Sequence, residues 1–378
     1  MRIGLIAYLL HRGADYRAAG VSLYTQLLLE CLPKVCPEHR YVAFHGADAP
    51  PLLNVEEVVS RVNTARPLLR IAWEQAAVPI ELRRLDIEVV HGTVNVLPAV
   101  NGKASVVTVH DLAFARHPDT FQRAKRWYLQ AAVAHSARRA TRVIAVSENT
   151  RRDLIDVFAI PEKRIDVVYS GVSDHFRPLP LSERAAFRGQ TLAGRPYLLH
   201  VGTLQPRKNI DVLIRAYAEL RVSDGIPHAL ALVGARGWMY KDLFELVVAL
   251  HLEDHVHFID YVARDRLPLW YNCADLFVYP SAYEGFGLPV LEAMACGVPT
   301  ITSNASSLAE LAGQACLTVE PGSQEALQMA MARVLRDSGL RSTMRVMGFA
   351  RAKLFSWEET ARQTVEVYEQ ASGQCARV

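Results

Sequence analysis

Glu284 and Glu292 enclose the stretch Gly285-Phe286-Gly287-Leu288-Pro289 and form the most chemically suggestive pair in the chain. Ahead of them residues 274–279 make an apolar run short and β-rich enough for a buried parallel strand. Gly285 and Gly287 let the backbone close on a ligand, and Pro289 falls where a helix begins, its missing N–H costing nothing there. Free amides of a first helical turn hold anions. Carboxylates suit hydroxyls. A pocket that grips phosphate by backbone and sugar hydroxyls by Glu284 and Glu292 matches what a nucleotide sugar offers.

Arg207 and Lys208 supply the other charge. They follow an apolar run, residues 197–201, by way of Gly202, and Asn209 starts the next predicted helix. Two cations at a strand-to-helix turn are placed to neutralise a diphosphate, Arg as a fork and Lys as a point charge. The helix dipole opposes cations at that end unless an anion is present. His110, followed by Asp111, ends a predicted strand, where a histidine either is satisfied by local hydrogen bonds or meets a ligand.

The glutamate spacing, embedded in GFGLP and followed by Cys296-Gly297-Val298-Pro299, resembles the E-x7-E motif of retaining GT-B glycosyltransferases of family 4. HVGTLQPRKNIDVLI resembles that family's phosphate-binding segment, and TVHDLAF the segment whose histidine approaches the donor sugar. The resemblance covers nearly the full length, tightest over 197–312 and looser before 100. It implies an α/β GT-B fold, two doubly wound Rossmann-like domains facing a central cleft. It also implies that Arg207 and Lys208 stabilise the leaving nucleoside diphosphate, with Glu284 and His110 in the catalytic set. Nucleotide and donor contacts are expected from Gly20, Gly202, Gly234, Arg236, Tyr261, Val262, Gly285, Phe286, Gly287, Leu288 and Glu292. Two departures stand out: Ala19 replaces the first of two glycines before the helix at Val21, and Asp260 stands where many relatives have Gly.

WEQAAVPIELRRLDIEVVHG together with TVHDLAF looks like the mannosyltransferase-like branch that builds bacterial surface polysaccharide. GDP-mannose is therefore the expected donor, a UDP-hexose the alternative, and a glycan or lipid-linked saccharide the expected acceptor. Acceptor contacts are expected from loop 11–20 and from 66–75, which holds Arg66, Arg70 and Trp73. No metal or cofactor is expected: the chain has no Asp-x-Asp, and Arg207 with Lys208 can replace the cation that motif would hold. Two rivals remain, a nucleotide-sugar epimerase on the same scaffold and an inactive nucleotide-binding scaffold.

The elements that must position these residues alternate. Strands are predicted at 3–8, 41–44, 58–62, 87–91, 106–110, 142–146 and 165–169, with helices over 21–32 and 121–138 and an N-cap at Ser147. After 171–180, read as a linker, strands follow at 197–201, 229–233, 256–259, 276–279 and 300–302, with helices over 210–221, 240–250 and 267–273. Such alternation means parallel sheets covered on both faces. The expected domains are 1–172 with 357–378, carrying the acceptor side, and 181–356, carrying the nucleotide sugar.

Composition limits the remaining classes. With 378 residues, 51% hydrophobic and 21% charged, the chain is long enough for two cores and is not a disordered sequence. A net charge of +3 argues against nucleic acid as a partner. Six cysteines, at 31, 36, 273, 296, 316 and 375, show no metal-ligand spacing and read as reduced thiols. The apolar start is of strand length and not a signal peptide, and no run reaches the ~20 residues of a membrane span. A cytoplasmic protein is expected, with peripheral contact at the inner face of the membrane as a possibility the basic helices leave open.

Overall fold

A computed structural model describes residues 1–13, 20–99, 104–237 and 240–373. The chain divides into two compact units: residues from Met1 to Gly171 joined by the C-terminal stretch from Ser356, and Val172–Phe355.

The first unit is built on seven strands: β1 (Arg2–Ile6), β2 (Arg40–His45), β3 (Glu56–Val59), β4 (Val89–Gly92), β5 (Ala104–Val109), β6 (Arg142–Ala145) and β7 (Ile165–Val167). Their order is β3-β2-β1-β4-β5-β6-β7, and every neighbouring pair is parallel. The second unit has β8 (Tyr197–Val201), β9 (Ala229–Val233), β10 (Val256–Ile259), β11 (Leu276–Tyr279), β12 (Thr300–Ser303) and β13 (Leu317–Val319). Their order is β10-β9-β8-β11-β12-β13, again all parallel. Strands covered on both faces read as continuous apolar runs, and β8, β9 and β11 are buried at every residue. Helices close them by one face, as in Ile210–Asp224, which buries Ile210, Leu213, Ile214, Tyr217 and Leu220. Each unit is thus a doubly wound, Rossmann-like sheet.

Most predicted elements are present, and Ser147 caps its helix by accepting from Thr150 N at 3.1 Å. The differences have identifiable causes. Residues 66–84, given no element above, form the helix Pro67–Ala72, a π-helical stretch Trp73–Ala77 and the helix Val78–Arg84. Pro67 and Pro79 sit in first turns, where proline breaks nothing. The third strand ends at Val59, and Val62 is exposed. Residues 172–180 of the expected linker lie in the second unit: Phe176 is buried edge-on to Tyr271, and Leu179 N donates to Asn272 Oδ1 at 2.9 Å. The last helix, Trp357–Ser372, belongs to the first unit, where Tyr368 Oη lies 2.6 Å from His91 Nδ1. Among the described residues no helix is long and apolar enough to cross a membrane. Residues 14–19 of the expected acceptor loop, and Cys375, lie outside the described residues.

Candidate active site

In the second unit the strand order reverses between β8 and β11, so the chain leaves their carboxyl ends in opposite directions and opens a crevice there. Arg207 and Lys208 lie on the loop after β8, and Glu284 on the loop after β11. The first loop closes as a 3-10 turn, Pro206–Lys208, and Asn209 turns left-handed (φ 52°) before the next helix. Asn accepts that conformation more readily than most residues, and here its Nδ2 donates to Pro280 O at 2.9 Å. From the other side Ala282 N donates to Arg207 O at 2.8 Å, and Ser281 Oγ to the same oxygen at 3.1 Å. The two loops are knitted together.

Glu284 sits at their junction. Its Oε2 accepts from Arg207 Nη1 at 3.1 Å; its Oε1 accepts from Lys208 Nζ, from Ser281 Oγ at 2.6 Å and from Tyr279 Oη at 3.2 Å. Lys208 Nζ also donates to Tyr279 Oη at 2.6 Å, and Arg207 Nη1 to Tyr283 O at 2.5 Å. Lys208 is 5% exposed and Glu284 7%. Burial raises the carboxyl's pKa, but the two cations and the hydrogen bonds outweigh it and hold Glu284 down at about 2. One carboxylate against two cations leaves this cluster with a positive charge in excess. Glu284, expected at sugar hydroxyls, thus has Arg207 on one oxygen and Lys208, Ser281 and Tyr279 on the other.

Beyond Glu284 the backbone of Gly285, Phe286 and Gly287 is buried, and Gly287 caps the helix Leu288–Ala295 at φ 110°, a conformation that favours glycine. Ser307 Oγ donates to Phe286 O at 2.8 Å, and Leu288, half-buried, opens the helix. Glu292, inside that helix, has different surroundings: its Oε2 accepts from Tyr271 Oη at 3.0 Å. Burial raises its pKa, opposed only in part by Arg264 and the Tyr271 hydroxyl. A group with a raised folded pKa loses stability as pH climbs past it. Glu292→Gln is accordingly expected to melt at or above wild type at pH 8, the advantage vanishing toward pH 4, while transfer falls. Thermal scans at the two pH values with a transfer assay check this.

Gly202 and Gly234 end adjacent strands, Gly202 N donating to Val233 O at 2.9 Å and Gly234 N to Ile259 O at 3.0 Å. Arg236 is half exposed and pairs with Asp260 at 3.1 Å, so the departure at 260 has a local partner. Tyr261 and Val262 are half-buried just past β10.

In the first unit His110 follows β5. Its Nε2 faces Thr93 O at 2.8 Å, and because a carbonyl only accepts, Nε2 carries the proton and Nδ1 is left as acceptor. Burial lowers its pKa against the pull of the Thr93 carbonyl and Asp111, so the ring is neutral at pH 7. Tyr24 stands edge-on at 4.7 Å, backed by the buried chain Tyr24–Thr108–His91–Tyr368. Gly20 caps the helix Val21–Val35 at φ 60°, while Ala19 before it lies outside the described residues.

Comparison with known proteins decides the family. Residues 183–349 match the family described as Glycosyl transferases group 1, and residues 18–176 that described as Glycosyltransferase Family 4. The O-antigen chain mannosyltransferase B of Escherichia coli is 35% identical over 266 residues, 70% of each chain. The chain belongs to the family 4, group 1 glycosyltransferases. Its fold is that of sucrose-phosphate synthase from Thermosynechococcus elongatus (TM-score 0.82, 24% identity, 99% of each chain). Anabaena HepE, solved with UDP-glucose, is also similar (TM-score 0.77, 21% identity, 98% of this chain and 100% of that one). As a glycosyltransferase of this family the protein is a transferase of GT-B fold. Sequence reasoning missed Tyr279, Ser281, Ser306 and Ser307, which fix Glu284 and its loop. A tyrosine ending an otherwise apolar buried strand was the available signal, since a buried phenol needs a partner.

Proposed function

We propose that the protein moves mannose from GDP-mannose, with retention and without a metal ion, to a hydroxyl of a glycan or lipid-linked saccharide. The observation that carries this reading is the pair Arg207 and Lys208, held by buried Glu284 at the strand-order reversal of the second unit. Fixed cations of this kind stabilise a leaving diphosphate at no cost in reorganisation. The backbone at Gly285, Phe286, Gly287 and Leu288, with Gly202 and Gly234, is assigned to the nucleotide sugar's phosphates, and Arg236, Tyr261 and Val262 to the nucleoside. Glu292 is assigned to sugar hydroxyls, and His110 and Gly20 to the donor by family resemblance. The departing phosphate oxygen takes the acceptor proton as the new glycosidic bond forms. The mannosyl assignment is supported by the E. coli relative's name.

Thermal melts with GDP, UDP, ADP and dTDP, without metal, test the donor, because a ligand of the folded state raises the midpoint. The expected result is a shift with GDP that disappears in Arg207→Ala and Lys208→Ala; a shift with UDP alone would move the donor to a UDP-hexose. No shift with any of the four, magnesium included, would sink the reading. Donor turnover without acceptor would point to an epimerase. The same reading places the enzyme in the cytoplasm, with exposed Trp127 and Tyr128 beside Arg123 and Lys125 against an anionic inner leaflet. Flotation with phosphatidylglycerol vesicles checks that contact, and protein left wholly at the bottom of the gradient would remove it.

A further inference from the structure

The first unit has its own reversal of strand order, between β1 and β4. Tyr8, two residues past the end of β1, reaches toward the segment after β4, its Oη donating to Val94 O at 3.4 Å. Parallel α/β sheets bind ligands at such a point. The Arg70 guanidinium lies over the Tyr8 ring, 4.7 Å from its centroid. Glu74, in the π-helical stretch, is 3% exposed, and among the described residues its Oε1 has no hydrogen-bond partner; neither has Arg70 Nε.

Arg70 and Glu74 stand four residues apart, a spacing at which opposite charges ordinarily pair. A buried carboxylate oxygen with no partner costs about 1–3 kcal/mol, and departures of that kind gather at functional sites. π-helical turns gather there too. The uncompensated burial raises the Glu74 pKa to about 7, against the Arg70 charge, and Glu74 in turn adds to the upward shift that burial imposes on the Tyr8 phenol.

Both signs of charge in one place select against a plain anion or a plain cation. What they suit is a neutral ligand with adjacent hydroxyls, one donating to Glu74 Oε1 and its neighbour accepting from Arg70 Nε. We propose that Tyr8, Arg70 and Glu74 form a subsite for vicinal hydroxyls of the saccharide acceptor, in which Glu74 sets the hydroxyl orientation accepted. This rests on the glycosyltransferase reading and adds residues of recognition to it; no bond is made or broken at the subsite.

Saturation-transfer NMR on the full chain with saturating GDP tests it, using methyl α-mannopyranoside and α-1,3-mannobiose as probes. Wild type is expected to give saturation transfer to ring protons, reduced about tenfold in Glu74→Leu and Arg70→Met and by less in Glu74→Gln, which keeps an acceptor. Glu74→Leu is also expected to melt no lower than wild type, because the unpartnered carboxylate is gone. Three results would overturn the proposal: no transfer with wild type, transfer undiminished in the variants, or a lower melting point with transfer per folded molecule intact, the mark of a structural role. The GDP-induced thermal shift, read on the same samples, separates the cases. If it persists while saccharide binding fails, only the subsite is lost; if it is absent from wild type, the donor reading itself has failed.

Discussion

Lys208→Met is expected to lower the rate of transfer by about a hundred- to a thousandfold, the effect of removing a fixed charge from the place where, under the proposed function, negative charge develops. Lys208 has no solvated alternative: it is buried, bonded to Tyr279 and paired with Glu284. Its removal leaves Oε1 of Glu284, among the described residues, with the neutral donors Ser281 and Tyr279, and the carboxylate with Arg207 as its cation. Breaking a buried pair from one side costs about 3 kcal/mol or more, so a loss of stability accompanies the loss of rate. Glu284→Gln is expected to do comparable harm from the other side, by leaving two adjacent cations uncompensated. The double variant should cost less than the sum, with a coupling of about 1–3 kcal/mol, because the second substitution removes what the first left exposed. Strict additivity in denaturant melts would show that Glu284 does not organise the cations. The pH dependence follows the same logic. Glu284's folded pKa is depressed to about 2, so its contribution is present above the ordinary carboxylate range and is lost as pH falls toward 2. Wild type and Glu284→Gln should therefore differ most near neutrality and converge in acid.

Gly234→Ala should lower the stability of the protein by about 3 kcal/mol or more, a magnitude kept for substitutions with a definite steric cause. Gly234 has φ 147°, and a Cβ there would stand 2.1 Å from Gly202 O and 2.6 Å from Gly202 C. Those are backbone atoms at the end of the neighbouring strand, so relief requires β8 and β9 to part. Gly202→Ala makes the contrast. Its Cβ would meet His200 Nε2 at 3.4 Å, Tyr279 Cε2 at 3.6 Å and Lys208 Cε at 3.9 Å, all ordinary contacts. That variant should fold with a melting point within a few degrees of wild type and lose about tenfold in GDP affinity, since the methyl fills the space ahead of Lys208. Equal effects of the two on melting would contradict the packing described. Unimpaired GDP binding by Gly202→Ala would take Gly202 out of the phosphate site.

Local signals made much of this legible. Continuous apolar runs such as ALALV and LFVY have no alternative but a strand covered on both faces, and their alternation with helical periods dictates parallel sheets. Residues 66–84 escaped because two prolines and a π turn interrupt the helical period, and a sequence pattern assumes an uninterrupted one. The strand Leu317–Val319 escaped because three residues carry too little pattern to stand out. At the site, proximity along the chain showed that Arg207 and Lys208 belong together and that Glu284 and Glu292 frame one loop.

The sequence by itself determined the class of fold, the family and the residue types available for phosphate and sugar, because these depend on periodicity and on motifs contiguous in the chain. Only the tertiary structure decided what each charge does. Glu284 is 76 residues from Lys208, and nothing local announces that it pairs with that lysine. Two glutamates of the same loop and helix acquire opposite pKa shifts because one meets two cations and the other a tyrosine in a buried setting. Burial and partners are properties of how distant segments pack, and the ionisation of a carboxyl follows from them.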